Sequence, residues 1–130
     1  MRPLFATIDS SALRHNLGVV RSHAPRSQVL AVVKANGYEH GRARVAAALA
    51  QADGFGLVEL EGAVALRESG YRQRIVLLEG FFDSSELPLL VRHGLATAVH
   101  SPEQVAALDG LPREARLDVL LKVNTGMNRL

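Results

Sequence analysis

The 130-residue chain has no cysteine and no tryptophan, and only 5% of its residues are aromatic. Without cysteine there is no disulfide framework, no thiolate nucleophile and no cysteine-bound zinc, and no other metal site is expected. Lysine is nearly as scarce. Lys34 and Lys122 are the only two among fifteen basic residues, and the rest are arginine. No apolar run is long enough to span a membrane, and the start Met1-Arg2-Pro3-Leu4-Phe5-Ala6-Thr7-Ile8 lacks the apolar core of a signal peptide. Neither sign of charge dominates: the formal balance is +2 and the basic residues are scattered rather than laid along one face. That balance predicts no nucleic-acid partner and no membrane partner. With 48% hydrophobic and 22% charged residues the chain is long enough to bury a core, and a cytoplasmic globular protein is the expectation.

What the chain does have is alternation. Leu4–Ile8 reads as a short N-terminal strand, followed by candidate N-caps at Asp9, Ser10 and Ser11 and a helix to about Ser22. Ser27–Lys34 is the strongest strand, Arg42–Ala52 an alanine-rich helix, and Gly54–Val58 a short strand. Leu60–Glu68 is helical and ends at Gly70. Ile75–Leu78 is a strand, Ser84–His93 a helix ended by Gly94, and Leu95–Val99 a strand. Ser101-Pro102-Glu103-Gln104 opens another helix with an N-cap, an N1 proline and an N3 glutamine. Leu117–Asn124 closes as a strand. Strands and helices alternating through short connections predict parallel βαβ units with right-handed crossovers. About five such strands follow the N-terminal one, whereas a complete (β/α)8 barrel needs eight units and typically about 250 residues. Counting alone therefore favours an open flavodoxin-like sheet.

Two segments carry chemistry. In Val29-Leu30-Ala31-Val32-Val33-Lys34-Ala35-Asn36-Gly37-Tyr38-Glu39-His40-Gly41, an apolar strand delivers a lysine and, four residues on, a tyrosine. A lysine on a rigid apolar support loses its proton more easily, as an amine must before attacking an aldehyde. Read by position alone, Lys34 is a solvated strand-end charge, Tyr38 a loop aromatic and His40 a structural hydrogen-bonder. Against that, a chain that avoids lysine places both of its lysines at the ends of apolar strands, where sites of parallel α/β folds assemble. The second segment is Val119-Leu120-Leu121-Lys122-Val123-Asn124-Thr125-Gly126-Met127-Asn128-Arg129-Leu130. Strand alternation sets Lys122 on the face of Leu120 and Asp118, so its charge needs a partner. The Thr125-Gly126 turn swings Arg129 over the site, and arginine reads a carboxylate bidentately. Dinucleotide, P-loop, zinc-protease and nucleophile-elbow motifs are all absent.

Both segments resemble the hallmarks of alanine racemase, in order and at suitable spacing. Phe55–Arg67 and Ile75–Phe82 are also similar to that family, so the resemblance covers the whole chain as the N-terminal third or so of such an enzyme. It implies a partial (β/α)8 TIM barrel of about five βα units over residues 1–130, with the rest of the barrel and a C-terminal β-domain outside this chain. It further implies pyridoxal 5′-phosphate (PLP) as cofactor, with Lys34 as Schiff-base lysine and one of two catalytic bases. Tyr38 would contact the cofactor phosphate, and Arg129 the cofactor O3′ and the substrate carboxylate. Lys122 would be a carbamylation site whose negative group holds Arg129. The implied whole protein is a homodimer interconverting L- and D-alanine for peptidoglycan precursors. The family usually has glycine where this chain has Glu39. A positive φ there would strain glutamate, which is expected to face outward.

Since the second base and most of the phosphate cup belong to later parts of the family's sequence, the chain alone is expected to be inactive and to bind PLP weakly. A barrel cut after its fifth strand also predicts self-association or poor solubility. Alternatives are a non-catalytic PLP-homeostasis barrel, a broad-specificity amino-acid racemase, or a non-enzymatic α/β interaction module. The segment Thr125–Leu130 speaks against the first.

Overall fold

Five short strands form one parallel sheet in the order β1 (Leu30–Val32), β2 (Gly54–Leu57), β3 (Arg74–Leu77), β4 (Ala96–Val99) and β5 (Asp118–Leu121). The computed structural model describes residues 3–130. Helix α1 (Ser10–His23) precedes the sheet. The crossovers run through α2 (Arg42–Ala48), α3 (Leu60–Glu68), α4 (Leu87–Arg92) and α5 (Pro102–Leu108). A strand order that follows chain order has no reversal point, unlike a doubly wound sheet. Right-handed crossovers in that order put every connecting helix on one face. This is the winding of a (β/α) barrel, and the open flavodoxin-like sheet is not what the chain forms.

Side-chain alternation separates the two faces. Ala31, Val33, Phe55, Leu57, Ile75 and Leu77 are buried against Leu17 of α1, Val45 and Ala46 of α2, Ala63 and Leu66 of α3 and Leu90 of α4. Phe55 meets Tyr71 edge-on, with ring centroids 5.3 Å apart and planes at 79°. The opposite face carries Leu30 and Val32 from β1, Gly54 and Gly56 from β2, Arg74 and Val76 from β3, Ala96 and Ala98 from β4, and Asp118 and Leu120 from β5. Large residues come from the odd strands and glycine or alanine from the even ones, the alternate-strand filling of a barrel interior. Gly54 is small because it must be: a Cβ there would lie 2.7 Å from the Arg74 carbonyl oxygen and 2.8 Å from Leu30 Cδ1.

Local signals explain the helix ends. The Asp9 carboxylate caps α1 by accepting the Ser11 and Ala12 N–H groups at 2.8 and 3.3 Å. Ser101 caps α5 through the Gln104 N–H, while Gln104 Oε1 reaches back to the His100 N–H at 2.9 Å. Three expectations change. Leu4–Ile8 is not a strand. Leu4 and Phe5 are 98% and 83% exposed, and among the described residues no strand lies alongside to complete a ladder, so β-propensity alone does not order the segment. The single helix expected over Ser84–His93 divides into a 3-10 turn (Ser84–Glu86) and α4. Pro88 has no N–H to give the Ser84 carbonyl, which instead accepts from Leu87 in the tighter register. Helix α2 also stops at Ala48, short of Ala52.

Candidate active site

The site begins where β1 ends. Val33 still donates to the Gly56 carbonyl at 2.8 Å, and Lys34 follows at the carboxyl edge of the sheet. The backbone then reverses hand. Ala35, Asn36, Gly37, Tyr38 and Glu39 have φ of 49°, 53°, 66°, 55° and 64°. Left-handed residues with a Cβ cost roughly 1–2 kcal/mol each, so Ala35, Tyr38 and Glu39 together store on the order of 3 kcal/mol or more. Glu39 thus sits at the positive φ that would strain it, and its side chain is exposed, as expected.

Several contacts hold this turn. Gly37 donates to Val33 at 3.1 Å, Glu39 to Ala35 at 2.9 Å and Gly41 to Asn36 at 2.9 Å. His40 Nδ1 lies 2.7 Å from the Tyr38 carbonyl and 3.1 Å from that of Gly37, which is the structural part expected of it. Asn36 Oδ1 accepts the Arg42 N–H at 2.9 Å, fastening the turn to the start of α2. From the neighbouring strand end, Glu59 Oε1 accepts the Ala35 N–H at 2.9 Å, and Glu59 Oε2 lies 3.7 Å from the Arg42 guanidinium. Partial burial of Glu59 opposes its charge. Its own and Ala35's backbone N–H groups, followed by Arg42, outweigh that and hold the carboxyl below its ordinary range.

The second signature arrives from β5. Lys122 extends that strand by donating to the Val99 carbonyl at 2.8 Å. Asn124 Oδ1 then accepts the N–H groups of Gly126 at 3.0 Å and Asn128 at 3.1 Å, and its amide donates to Asn128 Oδ1 at 3.0 Å. That side-chain hub folds Thr125–Asn128 back on the sheet. As a result Lys34, Lys122 and Arg129 line one open cleft of about 190 Å³ with Val58, Leu78, Glu79, Met127 and Leu130. The cleft lies at the carboxyl ends of the strands, where barrel sites form. Tyr38 is not among its walls and is 54% exposed.

A second cavity of about 230 Å³ opens at the amino ends, between Leu30, Gly54, Arg74, Val76 and Leu120. An Arg74–Asp118 ion pair at 2.6 Å lies beside it and neither lysine lines it, which suits the stabilising end of such a fold. Among the described residues no three histidine or acidic groups converge as metal ligands. No helix there is long and apolar enough to cross a membrane.

Sequence reading missed three members of the site region: Glu59, Arg42 and Glu79. Glu59 and Glu79 each follow a strand by two residues, and that position was the available signal. Arg42 gives none, being one arginine of many. Three cations and one carboxylate around a strand-end cleft suit an anionic aldehyde cofactor, and Lys34 and Lys122 each bring a primary amine to it.

The fold is shared with known proteins. The chain is 58% identical to alanine racemase of Nitrosospira multiformis over 99% of its own length and 36% of that protein's. It superposes on the biosynthetic alanine racemase of Pseudomonas aeruginosa with a TM-score of 0.93 at 43% identity, covering 99% of this chain and 36% of that one. A histidine racemase from Leuconostoc mesenteroides gives a TM-score of 0.77 at 33% identity, over 93% of this chain and 33% of its own. The chain thus spans about a third of the relatives it matches. The family described as alanine racemase, N-terminal domain, matches residues 8–130, and the chain belongs to that family.

Proposed function

We propose that this chain is the cofactor-lysine portion of a PLP-dependent alanine racemase, an isomerase that interconverts L- and D-alanine for peptidoglycan precursors. The observation that carries the reading is the convergence of Lys34, Lys122 and Arg129 on one strand-end cleft from opposite ends of the sequence. Residues 1–130 form the first part of the barrel, and the remaining barrel and a C-terminal β-domain complete a cytoplasmic homodimer.

Within that enzyme Lys34 Nζ would hold the cofactor until substrate takes its place and, once released as the free amine, would move the α-proton on one face of the substrate. The cofactor, when bound, supplies the electron sink for that proton's departure. Arg129 orients the substrate by its carboxylate and contacts the cofactor O3′. Tyr38, on the strained turn, donates its hydroxyl to the cofactor phosphate, which requires its exposed ring to turn toward the cleft. Lys122 Nζ, once neutral, adds CO₂ with loss of a proton and becomes a carbamate that holds Arg129 by charge.

The test is borohydride reduction of the PLP-loaded intact protein followed by peptide mapping. The adduct is expected on Lys34 and absent from Lys34→Arg; an adduct elsewhere in the wild type refutes the assignment. A second reading, a racemase acting on other amino acids, is favoured by one observation, the likeness to a histidine racemase. Comparing kcat/KM for alanine with that for histidine and other amino acids decides between them.

A further inference from the structure

We propose that Glu59 and Arg42 are positioning residues for Lys34, a charged clamp that keeps the left-handed turn after β1 in the hand that aims the lysine into the cleft. The inference rests on the reading of Lys34 as the functional lysine. It adds a device two strands wide: the carboxylate comes from the end of β2 and the guanidinium from the first residue of α2.

The need for a clamp follows from the backbone. Ala35 is the residue directly after Lys34, and it adopts φ 49° with no glycine or asparagine freedom. Left alone, it relaxes to negative φ and rotates the Lys34–Ala35 peptide. Glu59 Oε1 opposes that by accepting the Ala35 N–H at 2.9 Å. The carboxylate is itself held. Its Oε2 and Arg42 Nε are buried without a hydrogen-bond partner among the described residues, so each depends on the opposite charge beside it. Arg42 is tied to the turn by its N–H on Asn36 Oδ1, and its guanidinium lies over Gly62, where a Cβ would come within 2.5 Å of Cζ. Asn36 and Ala35 are neighbours in the turn, so the clamp grips it at two consecutive residues. Val58 lines the same cleft as Lys34, which places Glu59 directly beside the site.

The experiment uses the intact protein as wild type, Glu59→Ala, Arg42→Leu, and Glu59→Ala combined with Ala35→Gly. Two quantities are read: amide hydrogen exchange over residues 35–41, and the rate at which added PLP plus borohydride modifies Lys34. Glu59→Ala is expected to raise exchange over 35–41 and to slow Lys34 modification, each about tenfold, the worth of one charge-assisted hydrogen bond. Exchange in β3 should stay unchanged. Glycine at position 35 tolerates the left-handed region, so the double variant should recover most of both losses. A general structural role predicts no such rescue. Wild-type exchange and wild-type modification in Glu59→Ala overturn the proposal, and so does loss of protection in β3 equal to that in the turn. Where Glu59→Ala does not fold, Arg42→Leu decides: exchange over 35–41 must rise at least about threefold, and no rise overturns the clamp. If wild-type Lys34 is not modified at all, the reading of the lysine fails, while the exchange data still judge the clamp separately.

Discussion

Gly62→Ala separates stability from site geometry. Gly62 occupies the third position of α3 and is buried beneath the Arg42 guanidinium. Alanine in a helix interior stabilises by roughly 0.5–1 kcal/mol relative to glycine, because the unfolded chain has less freedom to lose. The added methyl occupies space filled by the far end of a flexible arginine, so relief costs a rotamer change and no backbone shift. What goes with the rotamer is the approach to Glu59, a pair whose side chains are 23% and 39% exposed. Partly solvated pairs of this kind contribute about 0–1 kcal/mol. The two effects oppose each other, and urea unfolding of the intact protein should change by between about −0.5 and about +1 kcal/mol. Over residues 35–41, however, amide exchange should accelerate several-fold, since Glu59 then holds the turn without its counter-charge. A loss of about 2 kcal/mol or more would show that the guanidinium cannot move aside and that the reasoning is wrong. Unchanged exchange in the turn would separate Arg42 from it.

Glu39→Gly relieves a left-handed residue but gives the unfolded chain more freedom, so a gain of about 0–1 kcal/mol in urea unfolding is expected, and any clear loss counts against the strain. The folded-state pKa of Glu59 is depressed, so its contribution is complete above the ordinary glutamate range and is lost as pH falls through and below it. Stability measured against pH should therefore flatten in that acid window in Glu59→Gln, and an unaltered slope contradicts the assignment. For Arg129→Lys in the intact enzyme, kcat/KM for alanine should fall by about one to three orders of magnitude, because a lost charged hydrogen bond is worth ~1.5–3 kcal/mol and a little more in a dry site. Near-wild-type kinetics would remove Arg129 from substrate binding.

The sequence made some of this legible for local reasons. Five strands, the Asp9 cap and the Ser101–Gln104 helix start each depend on residues within a few positions of one another, where period and capping chemistry act. Lys34 stood out because the chain uses so few lysines. Leu4–Ile8 misled because propensity says nothing about whether a partner edge exists. The clamp was illegible for a related reason. Glu59 meets Ala35 across 24 positions, and only Asn36 and Gly37 hint that the turn is left-handed. Ala35, Tyr38 and Glu39 give the opposite hint, so the hand of the turn comes from tertiary contacts.

The inward face of the sheet has a consequence for how this chain can vary. Gly54 and Gly56 are roofed by Leu30 and Leu78, with a Cβ at Gly56 falling 3.1 Å from Leu78 Cδ1. Gly56 and the leucines above it fill one shared volume, so these positions do not evolve alone, whereas Gly54 is held small by the Arg74 backbone whatever Leu30 becomes. A methyl gained at position 56 becomes tolerable only after a neighbouring leucine has given up comparable bulk, and the reverse order passes through a cavity. Such coupled positions restrict substitution to paths in which neighbours change together. Swapping Gly56→Ala and Leu78→Val singly and jointly would expose that dependence as a departure from additivity.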